Sequence, residues 1–233
     1  MNKNYLIAIS AYKEDLNIIN LIKKIREEIR DITILIINDN SGDKTKIMIN
    51  ELYDDSLIYL ERPKKLGLGT AHKLSIFYAI KHKFKFLITM DADLSHDPKE
   101  LNKIVDSLLY NPFVLGSRYI AGGKCLMKGS RLILSYFGNK LIKIISGIKS
   151  NEFTTSYRGF NMKNLKNFNL NNVHYKGYSF FMGTIFELYQ NNILIKEIPI
   201  IFKDRSKGVS KIPKFEMIRT FINLVIFFVK KNF

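Results

Sequence analysis

Hydrophobic positions along this chain fall into short continuous runs, separated by stretches with helical spacing. Tyr5-Leu6-Ile7-Ala8-Ile9-Ser10 predicts a strand. Ile32-Thr33-Ile34-Leu35-Ile36-Ile37 predicts a second, apolar along its whole length and therefore buried on both faces. Between them, residues 14 to 30 predict a helix with Ile18, Ile22, Ile25 and Ile29 on one face. Residues 43 to 53 predict a helix, and Leu57 to Glu61 a third strand. A helix from about Gly69 to Lys83 leads into the apolar run Phe84 to Thr89. Pro98 opens the next helix, at the position where its missing amide is tolerated. Phe113 to Ser117 predicts a fifth strand. This alternation predicts an α/β fold with a mostly parallel central sheet flanked by helices. Ligands of such sheets bind at the carboxyl ends of the strands. Ser10 to Glu14, Asn38 to Thr45 and Asp91 to His96 all fall there.

After Arg118 the pattern changes. Gly122-Gly123 marks a joint, and Ser130 to Gly147 predicts a helix with Ile133, Phe137, Leu141, Ile144 and Ile145 on one side and Lys140 and Lys143 on the other. Such a basic amphipathic helix suits a membrane surface; it equally suits core packing with solvated lysines. Residues 151 to 161 and 193 to 203 predict further strands. No repeat or low-complexity linker divides the chain, which predicts one domain over residues 1 to 233 with C-terminal amphipathic helices. No run reaches the roughly 20 apolar residues needed to cross a bilayer. The nearest is Phe221 to Val229, broken by Asn223 and closed by Lys230-Lys231. It suits a membrane surface or the docking of a partner's helix; it equally suits a C-terminal helix packed on the domain.

Charge narrows the choice of partners. With 37 basic and 21 acidic residues among 233, the net charge is +16. That predicts an anionic partner: nucleic acid, an anionic membrane surface or a phosphate-rich substrate. Nucleic-acid binding needs basic and aromatic residues clustered on one face, and here the lysines are spread evenly. The one cysteine, Cys125, excludes an internal disulfide and a cysteine-based zinc site. Met1 to Tyr5 runs straight into the first strand without a signal peptide, so a reducing cytosolic location is expected.

The candidate chemistry lies in Met90-Asp91-Ala92-Asp93-Leu94-Ser95-His96-Asp97-Pro98. Two carboxylates two residues apart at a strand end point to the same side and can share one hard divalent cation that bridges substrate phosphates. Arg62 to Lys73 adds Gly67 and Gly69 ahead of a helix. A glycine-rich helix start can cradle phosphate, but the Gly-Lys-Ser/Thr of nucleotide-triphosphate loops is missing. By spacing alone, a tight strand-to-helix turn is the better reading.

Taken in order, the motifs form a series: Ala11-Tyr12-Lys13-Glu14; Asp39 to Thr45; Gly67-Leu68-Gly69-Thr70-Ala71; Met90 to Pro98; Gly116-Ser117-Arg118-Tyr119; Arg131 with Ser135; Thr154 to Arg158; Gly177 to Phe180; Glu197-Ile198-Pro199-Ile200; and Phe202 to Lys211. This series resembles the dolichol-phosphate (polyprenol-phosphate) mannosyltransferases of the inverting glycosyltransferase family 2, over roughly residues 5 to 215. The resemblance implies a GT-A fold, a nucleotide-sugar donor that is usually GDP-mannose, a polyprenyl phosphate acceptor, and Mg²⁺ or Mn²⁺. It implies that Asp91 and Asp93, with Ser95, hold the metal. Ser10, Tyr12, Glu14 and Asp39 would line the nucleoside pocket, with Ala92, Arg118, Arg205 and Lys211 also on the donor. Arg118, Arg131, Ser135 and Arg205 would hold the acceptor phosphate. Asp91, Asp93, Arg118 and Arg131 would be the catalytic set. Residues 1 to 118 would then be the nucleotide-sugar and metal half, and residues 119 to 233 the acceptor and membrane-facing half. A cytoplasmic, peripheral position at a membrane is expected, with an anchoring subunit as one means of attachment.

The physical demands agree with this reading. A phosphate monoester is largely dianionic at neutral pH, so it needs no strong general base. It must instead be held near an anionic diphosphate, which arginine forks and a cation can do. The chain departs from the family pattern at Ser10, Lys13, Asn38 and Asn40, at Glu152 (usually Asp), at Thr155, Ser156 and Tyr157, and at Gly183 (usually Glu). A relative that moves glucose or another sugar to the same lipid phosphate is the alternative enzyme. A basic nucleic-acid-binding domain is the remote alternative of another class.

Overall fold

The computed structural model describes residues 4–52, 55–165, 167–174, 177, 179–204 and 222–229. In chain order the elements are β1 (Tyr5–Ala11), α1 (Ile18–Glu28), β2 (Thr33–Asn38), α2 (Thr45–Asn50), β3 (Leu57–Glu61), α3 (Leu68–Lys81) and β4 (Phe86–Asp91). They continue as α4 (Leu101–Leu108), β5 (Phe113–Ser117), β6 (Lys124–Cys125), α5 (Ser130–Ser146), β7 (Arg158–Asn161), α6 (Ser179–Gln190), β8 (Ile195–Pro199) and β9 (Ile201–Phe202). Residues 222–229 form a last helix, α7.

Seven strands build one sheet in the order β3-β2-β1-β4-β7-β5-β8. All run parallel except β7, which is antiparallel to both β4 and β5. The fold is therefore α/β with a mostly parallel central sheet flanked by helices. Side chains alternate across each strand, so a strand apolar throughout feeds two cores. Ile7 and Ile9 pack with Ile34, Ile36, Ile88, Ile104 and the buried stripe of α1 on one face. Leu6 and Ala8 pack with Leu35, Ile37, Leu87, Ile76 and the phenylalanines of α6 on the other. α7 closes this second core through Leu224 and Phe227, and Phe227 stacks on Phe186 with ring centroids 3.6 Å apart.

Two predicted elements differ, and one helix went unpredicted. Residues 14 to 17 form a turn rather than the first turn of α1, with Glu14 accepting from the amides of Asn17 and Ile18. Of the strand predicted over 151 to 161, only Arg158–Asn161 is in the sheet. Upstream, side chains take the backbone amides: Asn139 accepts from Phe153, and Glu152 accepts from Thr154 and Thr155. The sequence pattern did not predict α6. Its residues Ser179 to Leu188 are all buried, so no polar stripe marks a helical period.

Candidate active site

Strand register brings the first cluster together. Ser10 lies beside Asp91, Ala11 beside Asn38, and Asn38 beside Glu61, all at one edge of the sheet. The loops that leave this edge are cross-linked: the Lys13 amide donates to Ser41 Oγ, and the Asp39 amide to the Ala11 carbonyl. Lys13, Asn40 and Leu94, one in each loop, have left-handed backbones with φ of 56°, 55° and 63°. Non-glycine residues held in this region concentrate at functional sites.

Asp91 ends β4 with a partly exposed carboxylate. Asp93 is buried, and its Oδ1 accepts from the Ser95 amide at 3.1 Å and from Ser95 Oγ at 2.6 Å. Ser95 is fully buried and supports Asp93, while Ala92 is buried between the two carboxylates. Two carboxylates supply hard oxygen ligands, and no group of three metal-binding side chains occurs among the described residues. The oxygen donors of this pair suit a hard divalent cation such as Mg²⁺ or Mn²⁺, which Asp91 and Asp93 would hold.

Asp39 points inward. Its two oxygens accept from the amides of Leu66 and Gly67, each at 2.7 Å, and Oδ1 lies 3.2 Å from Nη2 of buried Arg62. The glycine loop therefore cradles the chain's own carboxylate, and the turn reading of Arg62 to Lys73 describes it. Gly67 has φ +90°, a conformation that L side chains rarely adopt. At Gly69 a Cβ would lie 2.7 Å from both the Gly177 carbonyl and Phe180 Cβ, so its absence lets α3 approach α6. Glu14 is buried and accepts from Asn17 Nδ2. Tyr12 is half-buried, with Lys65 Nζ 3.9 Å above its ring. Arg62 gave no signal in the sequence, because its role depends on folding against Asp39.

The second cluster is organised by a buried ion pair. Arg118 donates from Nε and Nη2 to the two oxygens of Glu152, both at 2.7 Å, and Nη2 also reaches Thr154 Oγ1. Burial opposes charge on both partners, and the pairing overcomes it: the Arg118 pKa is held above its ordinary value and that of Glu152 below. The fork that sequence reasoning assigned to phosphate is thus engaged by Glu152, leaving Nη1 beyond that pair. The guanidinium also lies against the rings of Tyr119 and Phe202, at 5.1 and 4.9 Å. Tyr119 donates to Ser135 Oγ at 2.7 Å, and burial pushes its pKa up to about 12. Arg131, at the start of α5, is exposed and pairs with Asp204 at 3.1 Å. Arg118, Arg131 and Ser135 therefore share one region. Arg205 and Lys211 lie outside the described residues.

Arg158 is in the core rather than at this surface. It donates to the carbonyls of Thr155, Phe181 and Phe153, and burial lowers its pKa to about 9. It ties the Glu152 loop to α6. Four of the five residues on the predicted apolar side of α5 face outward, while Ile145 packs against the second core. Ile133, Leu134, Phe137, Leu141 and Ile144 are exposed, while Asn139, Ile142 and Ser146 are buried. No helix among the described residues is long and apolar enough to cross a membrane.

A carboxylate pair at a parallel sheet edge and a nearby arginine cluster suit a site for anionic substrates. The glycosyl transferase family 2 model matches residues 6–168, and the chain belongs to that family. It is a glycosyltransferase. It is 30% identical over 211 residues to the polyprenol monophosphomannose synthase of Mycolicibacterium smegmatis, covering 88% of this chain and 80% of that protein. It is 29% identical over 209 residues to the undecaprenyl-phosphate mannosyltransferase of Micrococcus luteus, covering 88% and 86%. In fold it is similar to glucosyl-3-phosphoglycerate synthase from Mycobacterium tuberculosis in complex with Mn²⁺, uridine diphosphate and glucosyl-3-phosphoglycerate. There the TM-score is 0.69 at 13% identity, covering 98% of this chain and 79% of that one.

Proposed function

We propose that this chain transfers mannose from GDP-mannose to a polyprenyl monophosphate, with inversion at the anomeric carbon. The observation that carries the reading is one juxtaposition: the outward apolar face of α5 begins at Arg131 and Ser135, next to the Arg118–Glu152 pair. A lipid with a phosphate head asks for such a site, with cationic and hydroxyl groups at the start of a greasy surface. The two relatives named for polyprenol- or undecaprenyl-phosphate mannose chemistry support it.

Asp91 and Asp93 would hold Mg²⁺ or Mn²⁺, which when bound offsets charge on the leaving diphosphate. An acceptor phosphate oxygen forms a bond to the sugar's anomeric carbon as the bond from that carbon to the nucleoside diphosphate breaks. The acceptor is already anionic, so the chain's task is placement. Arg131 and Ser135 bind the phosphate, and Arg118 is fixed by Glu152 with Nη1 as its remaining nitrogen. Ser10, Tyr12, Glu14 and Ala92 form the wall on the nucleoside side, while Asp39 holds the loop at Leu66 and Gly67 in shape. The lipid tail stays in a bilayer, so α5 and the exposed Ile222, Val225, Ile226 and Phe228 of α7 lie on a membrane surface. Attachment is then peripheral and cytoplasmic, with an anchoring subunit as an additional means.

A second reading, another sugar on the same acceptor, rests on Asn38, where the family usually has Asp. Its Nδ2 donates to Tyr59 Oη at 2.7 Å, and its Oδ1 accepts from Ser41. The test is transfer from a panel of labelled GDP- and UDP-sugars to polyprenyl phosphate in Mn²⁺. The proposal expects GDP-mannose to give the highest rate. A higher rate with a UDP-sugar supports the second reading, and transfer from none overturns both.

A further inference from the structure

Among the described residues, His96 is the imidazole buried between the two clusters. It is 1% exposed, and each of its nitrogens is turned to a different half of the site. Nδ1 accepts the Asp91 backbone N–H at 3.1 Å. An imidazole that accepts at Nδ1 carries its proton on Nε2, and Nε2 lies 3.3 Å from Thr155 Oγ1. Nδ1 also lies 4.0 Å from the Asp91 carboxylate. Thr155 belongs to the loop that fixes Arg118: its amide donates to Glu152 Oε1 at 3.2 Å, and its hydroxyl also accepts from the Tyr157 amide. The ring stacks on Tyr157 at 4.8 Å and meets Phe202 edge-on at 5.3 Å. Backbone pairing between His96 and Phe202 carries the contact on to the guanidinium of Arg118, which Phe202 also touches.

We propose that His96 is a positioning residue with two separable arms. Nδ1 sets the backbone of Asp91 and so the metal and donor side. Nε2 sets Thr155, Glu152 and Arg118, and so the acceptor side. This deepens the function proposed above and rests on it.

The two arms can be cut one at a time. In His96→Asn the carboxamide oxygen falls near the position of Nδ1 and keeps the Asp91 contact, but cannot reach Thr155. In His96→Gln the longer side chain reaches Thr155 and leaves the Asp91 amide. His96→Phe keeps a ring and loses both contacts. Two quantities are read: the Mn²⁺ concentration that half-saturates the rise in melting temperature with GDP or UDP, and KM for polyprenyl phosphate. Loss of a contact that orients a metal ligand weakens metal binding by about tenfold or more. Loss of one buried hydrogen bond weakens acceptor binding by roughly tenfold. The proposal expects His96→Asn to raise acceptor KM alone, His96→Gln to raise the Mn²⁺ requirement alone, and His96→Phe to raise both. Thr155→Val, which leaves His96 untouched, should repeat the His96→Asn result and serves should a His96 variant fail to fold. If the two constants move together in every variant, move in the opposite assignment, or stay at wild-type values, the proposal is overturned. A wild-type chain that neither nucleotide stabilises with Mn²⁺ overturns the reading of the site itself, and that failure is visible before any variant is made.

Discussion

From β1 to β4 the candidate site groups stand on the ends of buried parallel strands or on the loops that leave them, whereas from Ser117 to Asp204 they stand on loops and an exposed helix held by side-chain contacts. In the first region, ladder hydrogen bonds and two apolar cores place Ser10, Asn38 and Asp91 in register. In the second, one carboxylate, Glu152, satisfies a guanidinium, two amides and a hydroxyl. The contrast teaches where each region is fragile. Removing one apolar contact from the first leaves its register in place, while removing one charge from the second strands another charge in the interior.

Glu152 offers the most forceful way to break the contrast. Glu152→Ala leaves the Arg118 guanidinium buried and unpaired, a loss of about 3–5 kcal/mol in stability. Glu152→Asp keeps the charge and should cost far less. Urea unfolding of both variants checks this, and equal losses would remove the ion pair as the organiser of the loop.

The outward face of α5 comes next. Ile133 and Phe137 are each 59% exposed, so Ile133→Asp with Phe137→Asp should leave the melting temperature near wild type. Each apolar side chain withheld from a bilayer forfeits roughly 2 kcal/mol, so co-sedimentation with anionic liposomes should fall sharply. Unchanged co-sedimentation would make this helix face irrelevant to membranes.

His72 probes the seam between the regions. It is buried in α3 against Phe181 of α6, and burial lowers its pKa from 6.5 to about 3. Between those values the unfolded chain binds the extra proton. The neutral core histidine therefore contributes full stability above pH 6.5 and loses it as pH falls. From pH 7 to pH 5 the loss from this group is about 2 kcal/mol. His72→Leu should shrink the wild-type loss by that amount, measured by urea unfolding at both pH values.

Arg131 gives the smallest stability effect. Its pair with Asp204 is exposed on both sides, so Arg131→Ala should change stability by less than about 0.5 kcal/mol. Transfer should nevertheless fall by roughly tenfold, with Arg131→Lys recovering part, because a point charge replaces a fork. A large stability loss would move Arg131 from the substrate to the scaffold.

Much of the first region was legible in the sequence, for the reason that makes it robust. Continuous apolar runs fix buried strands, and Asp91 and Asp93 follow directly from the end of one of them. The second region was legible as motif order but not as contacts. Arg118 could be read as a site residue, yet nothing local reveals that Glu152, 34 positions later, occupies its fork. Arg158 looks the same as Arg118 in sequence, but folding sends it to three backbone carbonyls in the core. The apolar stripe of α5 was visible, while its direction depends on what the rest of the chain leaves uncovered. α6 escaped notice because a helix buried on all sides has no amphipathic period.

The central claim is that sugar transfer to a lipid phosphate takes place at the Asp91 edge of the sheet. The most direct test is the initial rate of labelled-mannose transfer from GDP-mannose to membrane-embedded polyprenyl phosphate, for wild type and Asp91→Asn in Mn²⁺, with melting temperatures measured alongside. The account predicts transfer by wild type, its loss in excess chelator, and a fall of about 10²-fold or more in the variant at an unchanged melting temperature. Full activity of Asp91→Asn, or transfer that persists in chelator, would contradict it.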